Sequence, residues 1–145
     1  MSAPEPSGPD PGHPRVVVVD DEELVVALVS ASLKRTGAVC SSFRSALNAL
    51  EHLRSSPADL VVTDLRMPGL GGLELVERLR AESNPIPVIL ISGFPLDPRE
   101  RQRARDLGVF DYLRKPFVVA QLVRAAAAAL ANDESARWRE ATQGE

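Results

Sequence analysis

Apolar positions along this chain follow two alternating rhythms. One is the short apolar run: Val16–Val19, "DLVVTD" (59–64) and "PVILIS" (87–92), with "VFDYL" (109–113) as a fifth strand and "AVCSSF" (38–43) as a weaker one. The unbroken runs at Val16–Val19 and in "PVILIS" predict strands buried on both faces. The other is the helical spacing of every third or fourth residue. It appears in "EELVVALVSASLKRTG", "RSALNALEHLRSS", "GLELVERLRAES" and "VVAQLVRAAAAALA". A further helix is marked by its start: Asp97 as cap, Pro98 at the first position and Glu100 at the third. Gly37 and Gly108 are expected helix stops. Five strands, each followed by a helix, predict an α/β fold: a doubly wound parallel sheet with helices on both faces.

The domain boundaries follow from where the rhythm fails. Residues 1–14, "MSAPEPSGPDPGHP", hold five prolines and almost no apolar mass, so they read as a disordered tail. The folded domain is expected over 15–131, and 132–145 reads as a C-terminal tail or helix extension. Within that tail, Trp138 is expected to pack against the last helix.

Composition narrows the function. The chain has 145 residues and a net charge of −3, which gives no global electrostatic case for nucleic acid or an anionic membrane. No apolar run nears the ~18 residues of a membrane span, and no secretory signal pattern opens the chain, so a cytoplasmic location is expected. A lone cysteine, Cys40, excludes an internal disulfide and reads as a buried strand residue. His13 and His52 are too isolated to be ligands.

Polar groups collect at the carboxyl ends of the predicted strands. Asp20 and Asp21 follow the first, Asp64 ends the third, Ser92 ends the fourth and Lys115 follows the fifth. Open parallel sheets bind ligands at that edge. Converging carboxylates are hard oxygen donors suited to Mg²⁺. An ionised aspartate can act as a nucleophile toward phosphorus, while lysine and serine can hold phosphoryl oxygens. Each residue alone has a blander reading: Asp20 and Asp21 as helix caps, Glu22 and Glu23 as helix-start charges, Asp64 and Lys115 as surface groups, Ser92 as a turn. Their coincidence at corresponding strand ends favours the chemical reading.

The segments "VVDDEE", "VVTDLRMPGLGGLEL", "VILISG" and "DYLRKPF" together resemble a response-regulator receiver domain of two-component signalling, of the chemotaxis single-domain type. The resemblance covers Arg15 to about Ala131 and implies a flavodoxin-like sheet of order 2-1-3-4-5. It implies Asp64 as phosphoacceptor, with the phosphoryl group coming from a sensor histidine kinase or phosphotransfer protein. It implies Mg²⁺ held by Asp21, Asp64 and the backbone carbonyl of Arg66, with Asp20 acting through water. Ser92 and Lys115 would grip the phosphoryl oxygens, and Lys115-Pro116 would be a cis bond. Ser92 and Tyr112 would form the switch, while Arg66 and Phe94 would tune dephosphorylation. The implied output is a protein target met through the fourth helix, fifth strand and fifth helix, with no direct nucleic acid or membrane contact. The chain would catalyse only its own phosphorylation and dephosphorylation.

Two rivals share the sheet. An aspartyl phosphatase of the haloacid-dehalogenase type places its nucleophile on strand one with a second Asp two residues on, whereas Asp20 and Asp21 are adjacent. A flavodoxin needs a phosphate loop after strand one, where "DDEE" would repel the ligand. A module cut from a longer regulator or hybrid kinase fits as well as a stand-alone receiver.

One local pattern bears on dynamics. Arg99, Arg101, Arg103 and Arg105 fall as two pairs on different faces at ~100° per residue, so they predict a solvated helix rather than a nucleic-acid stripe. Leu96, Ala104 and Leu107 leave that helix a thin apolar face, which places it among the less stable, switch-prone elements.

Overall fold

The computed structural model describes residues 13–133. The expected tail residues before them, and Trp138 after them, lie outside the described residues.

Five strands and five helices alternate: β1 (Arg15–Val19), α1 (Glu23–Lys34), β2 (Val39–Phe43), α2 (Ala46–Ser55), β3 (Leu60–Asp64), α3 (Gly72–Ala81), β4 (Val88–Ser92), α4 (Pro98–Asp106), β5 (Asp111–Arg114) and α5 (Val119–Leu130). The sheet is parallel throughout, in the order β2-β1-β3-β4-β5. This is the expected flavodoxin-like topology, with β1 and β3 adjacent where the strand order reverses.

Side chains alternate between the two faces of each strand, so one apolar run feeds two cores. Val17, Val19, Val61, Val88 and Leu90 pack under α2, α3 and α4 with Leu50, Leu75 and Leu79. Val16, Val18, Leu60, Val62, Ile89 and Ile91 pack under α1 and α5 with Val29, Leu33 and Leu122. β2 is an edge strand, and its polar residues are accommodated accordingly. Ser42 Oγ lies 3.0 Å from Ser30 Oγ on α1, which satisfies a serine that the helix buries. Cys40 is only half-buried on this edge, with its Sγ 3.8 Å from the Ser30 carbonyl, so the expectation of a buried thiol is corrected.

The helix ends follow their local chemistry. Asp97 accepts from the Glu100 amide at 2.8 Å and Glu100 reaches back to the Asp97 amide at 3.0 Å, with Pro98 in the first turn. Gly37 and Gly108 adopt φ of 99° and 72°, the left-handed conformation that reverses the chain after a helix. Gly72 has a different duty. A Cβ there would overlap the Asp64 carbonyl oxygen, so only glycine lets the start of α3 approach the end of β3. α4 is thinly anchored: of its own residues only Ala104 is buried.

Candidate functional site

The carboxyl edge of the sheet gathers the polar groups. Beyond β1, the Asp20 amide still donates to the Phe43 carbonyl at 3.1 Å, so Asp20 is held as a continuation of the strand and is 1% exposed. Its Oδ1 accepts from the Glu22 amide at 2.9 Å, shaping the turn into α1. Asp64 is the last residue of β3, locked by the bond from the Leu65 amide to the Ile91 carbonyl at 2.8 Å. Asp20, Asp21 and Asp64 each bring a carboxylate oxygen within 4.8 Å of the others.

Lys115 closes the group from the far side. Its amide donates to the Ser92 carbonyl at 2.8 Å, which ties the β5–α5 loop to the end of β4. Its Nζ lies 3.0 Å from Asp20 Oδ2, 3.5 Å from Asp64 Oδ1 and 2.9 Å from Glu22 Oε1. The Lys115-Pro116 bond is cis, as the resemblance implies.

Charge and burial compete here. Burial pushes the Asp64 carboxyl up, the Asp20 charge pushes it further, and Lys115 opposes both, leaving a pKa of about 6. Burial likewise raises Asp20, against the Glu22 amide and Lys115. For Lys115, burial acts to lower the pKa, but the hydrogen bond to Glu22 and the nearby Asp20 and Asp64 charges outweigh it and the ammonium stays charged. One lysine therefore faces three acids, and negative charge remains in excess. Asp20 Oδ2 is buried and pairs with Lys115 without a hydrogen bond of proper geometry. Clustered hard oxygens and a buried carboxylate oxygen lacking a hydrogen bond are what a Mg²⁺ ion would satisfy, so the donor set fits that ion.

The other predicted residues take distinct places. Ser92 is buried at the end of β4, and its Oγ accepts from the Phe94 amide at 3.1 Å. Tyr112 is 8% exposed, more buried than an ordinary half-covered strand aromatic, and its hydroxyl donates to the Phe94 carbonyl at 2.7 Å. Ser92 and Tyr112 thus hold the backbone of one residue through its two flanking peptide units, while the Phe94 ring itself stands in solvent. The Arg66 side chain turns away from the acids and pairs with Glu100 on α4 at 2.9 Å and 3.0 Å.

Glu22 is the residue that sequence reasoning misplaced. Read as a helix-start charge, it occupies the N-cap of α1 without a side-chain cap bond and instead pairs with Lys115. No local signal announces this, because its partner is 93 positions away.

A parallel five-stranded sheet of order β2-β1-β3-β4-β5 carries three aspartates and a lysine over its switch point, which defines an aspartate-centred flavodoxin-like α/β protein. The family model for the response regulator receiver domain matches residues 16–127, and the chain belongs to that family. It is 35% identical over 113 residues to the C4-dicarboxylate transport transcriptional regulatory protein DctD of Rhizobium meliloti, covering 78% of this chain and 24% of that protein. The chain spans about a quarter to a half of the length of the curated relatives it matches. The signal receiver domain of an HD domain-containing protein from Pseudomonas fluorescens superposes with a TM-score of 0.77 at 27% identity, covering 85% of this chain and 98% of that one. The chemotaxis protein CheY4 of Vibrio cholerae shares the fold at 24% identity and a TM-score of 0.75, covering 81% and 98%. Receiver domains are signalling modules rather than conventional enzymes and interact with histidine kinases; the Asp20, Asp21 and Asp64 cluster is typical of their Mg²⁺ site.

Proposed function

We propose that this chain is an active receiver in which Asp64 accepts a phosphoryl group from a histidine of a sensor kinase or phosphotransfer protein. The observation that supports this best is the convergence of Asp20, Asp21 and Asp64 with Lys115 at one strand edge. Asp21, Asp64 and the Arg66 carbonyl would hold Mg²⁺ directly, with Asp20 acting through water. When bound, the ion neutralises the acids and the incoming phosphoryl charge.

The chain's own residues do the rest. Asp64 offers a carboxylate oxygen to phosphorus as the bond to the donor imidazole nitrogen breaks, giving an aspartyl phosphate and a neutral histidine. Lys115 is already placed to pass from its acid partners to a phosphoryl oxygen, and the Ser92 hydroxyl can donate to another. As Ser92 turns toward that group, it releases the Phe94 amide that it now accepts from, and Tyr112 reads the change through the Phe94 carbonyl. The altered surface is α4, β5 and α5, and a downstream protein binds there in the cytoplasm.

The length of the relatives favours a second context for the same chemistry. Since the chain spans only part of them, the same receiver chemistry fits a module of a longer regulator or hybrid kinase. An aspartyl phosphatase finds no support at β1, where Asp20 is engaged by the turn into α1.

Incubation with acetyl phosphate and Mg²⁺ followed by intact mass measurement tests the assignment. One added phosphoryl group is expected on the native chain, and none on Asp64→Asn. Equal uptake by Asp64→Asn overturns it.

A further inference from the structure

Glu22 stands at the mouth of the acid cluster with its backbone fixed twice. Its amide donates to Asp20 Oδ1 at 2.9 Å, and its carbonyl accepts from the Val25 and Val26 amides at 3.1 Å as α1 begins. Only the side chain is left to choose a partner. At an N-cap it could serve the helix, yet it makes no cap bond and reaches Lys115 instead, with Oε1 2.9 Å from Nζ.

The three acids around Lys115 are not equivalent. The Asp20 and Asp64 side chains are 2% and 8% exposed, at 3.0 Å and 3.5 Å from Nζ, whereas the Glu22 side chain is 61% exposed. Glu22 accepts a well-formed hydrogen bond from the ammonium, which buried Asp20 Oδ2 does not. Lys115 is thus held between a buried acid floor and an outer carboxylate in solvent. Parting a lysine from a buried carboxylate strands a charge away from water, whereas an exposed carboxylate recovers its hydration. When Lys115 turns to a new anion, Glu22 is therefore the partner whose release costs least. A cation on Asp20 and Asp64 sharpens the contrast, because it weakens their pull on the ammonium and leaves that of Glu22.

We infer that Glu22 is a placeholder for the phosphoryl group: it occupies Lys115 in the resting chain, must release it when Asp64 is phosphorylated, and competes for it afterwards. This rests on the phosphoacceptor reading and adds to it a residue that sets how readily the site loads. Glu22 acts through Lys115 and is a positioning residue, not a reacting group. Glu23 supplies an internal control. It carries the same charge one position on, is 83% exposed, and has Arg44, at 4.0 Å, as its ion-pair partner.

Glu22→Gln keeps the side-chain shape and an acceptor oxygen but removes the charge. With saturating Mg²⁺, it should lower the half-saturating concentration of beryllofluoride, a stand-in for the phosphoryl group, several-fold. It should speed acetyl phosphate uptake, followed by intact mass, to a similar degree, while Glu23→Gln stays close to the native chain. The nitrogen shift of the Lys115 ammonium, one of only two lysine signals, should move in Glu22→Gln and hold its native value in Glu23→Gln. A purely structural strut predicts the opposite sign, since its loss would slacken the β5–α5 loop and slow uptake. Slower or unchanged uptake by Glu22→Gln, or an unmoved Lys115 signal, would overturn the placeholder while leaving the phosphoacceptor reading intact. An equal gain in Glu23→Gln would overturn it too, by assigning the effect to general charge. No uptake by the native chain would overturn the phosphoacceptor reading, and the placeholder with it.

Discussion

Two residues at the end of β3 show how little room the site leaves for substitution. Asp64 ends the strand, and eight positions later Gly72 opens α3 where any Cβ would overlap the Asp64 carbonyl oxygen, while the Gly72 amide donates to the Leu65 carbonyl at 2.9 Å. Gly72→Ala would force backbone against backbone, so it should destabilise the fold by about 2–3 kcal/mol, the range of an overpacked core. A urea midpoint measures the loss, and a slower acetyl phosphate reaction should accompany it as Asp64 is displaced. Gly69 is a contrast: its φ of 77° favours glycine, but no atom crowds its Cβ position, so Gly69→Ala carries only the conformational cost. The glycine in the family-like motif is thus explained by a contact that no sequence rule reveals.

At the scale of elements, α4 is held more by ion pairs than by apolar packing. Leu96 precedes it and Ala104 anchors its middle, while Arg103 pairs with Glu74 and Glu77 of α3 at 3.5 Å and 3.0 Å. The expected division of its arginines into two faces is visible here: Arg103 faces α3, whereas Arg101 and Arg105 line a separate surface cavity with Pro98. Glu100 has a double duty, closing the capping box and receiving the Arg66 fork from the β3–α3 loop. Glu100→Gln keeps a cap acceptor but removes the charge, so hydrogen exchange over residues 98–106 should quicken several-fold while the strands are unaffected. Unchanged exchange would show that the thin apolar face suffices. The helix was readable from Asp97-Pro98-Arg99-Glu100 alone, but the ties to Arg66 and α3 were not, because they join residues far apart in sequence.

Across the whole molecule, the acid cluster works against folding when no cation is present. The fold holds the Asp64 proton more tightly than the unfolded chain does, with a pKa of about 6 against an ordinary 3.8. Between those values the native state binds more protons, so its stability falls as pH rises through ~4 to 6 and stays lower above. The displacement corresponds to about 3 kcal/mol. Metal-free Asp64→Asn should therefore be more stable than the native chain at pH 7 by about 1–3 kcal/mol, with the advantage vanishing near pH 4. Mg²⁺ should stabilise the native chain and narrow that gap; paired chemical melts in chelator and in Mg²⁺ measure both effects.

The sheet order and the positions of Asp20, Asp21, Asp64, Ser92 and Lys115 were legible because apolar runs and strand-end polarity are local signals. Glu22 on Lys115, Arg66 on Glu100 and the serine pair between α1 and β2 were not, because each depends on which loops the finished fold brings together.

The Glu22–Lys115 contact closes the site across 93 positions of chain. During synthesis, Asp20 and Asp64 leave the ribosome well before Lys115 does, and β5 must add to β4 before the lysine can meet its acids. A nascent or truncated chain therefore carries the aspartates without their counter-charge. The acid cluster therefore gains its lysine only when β5 docks on β4.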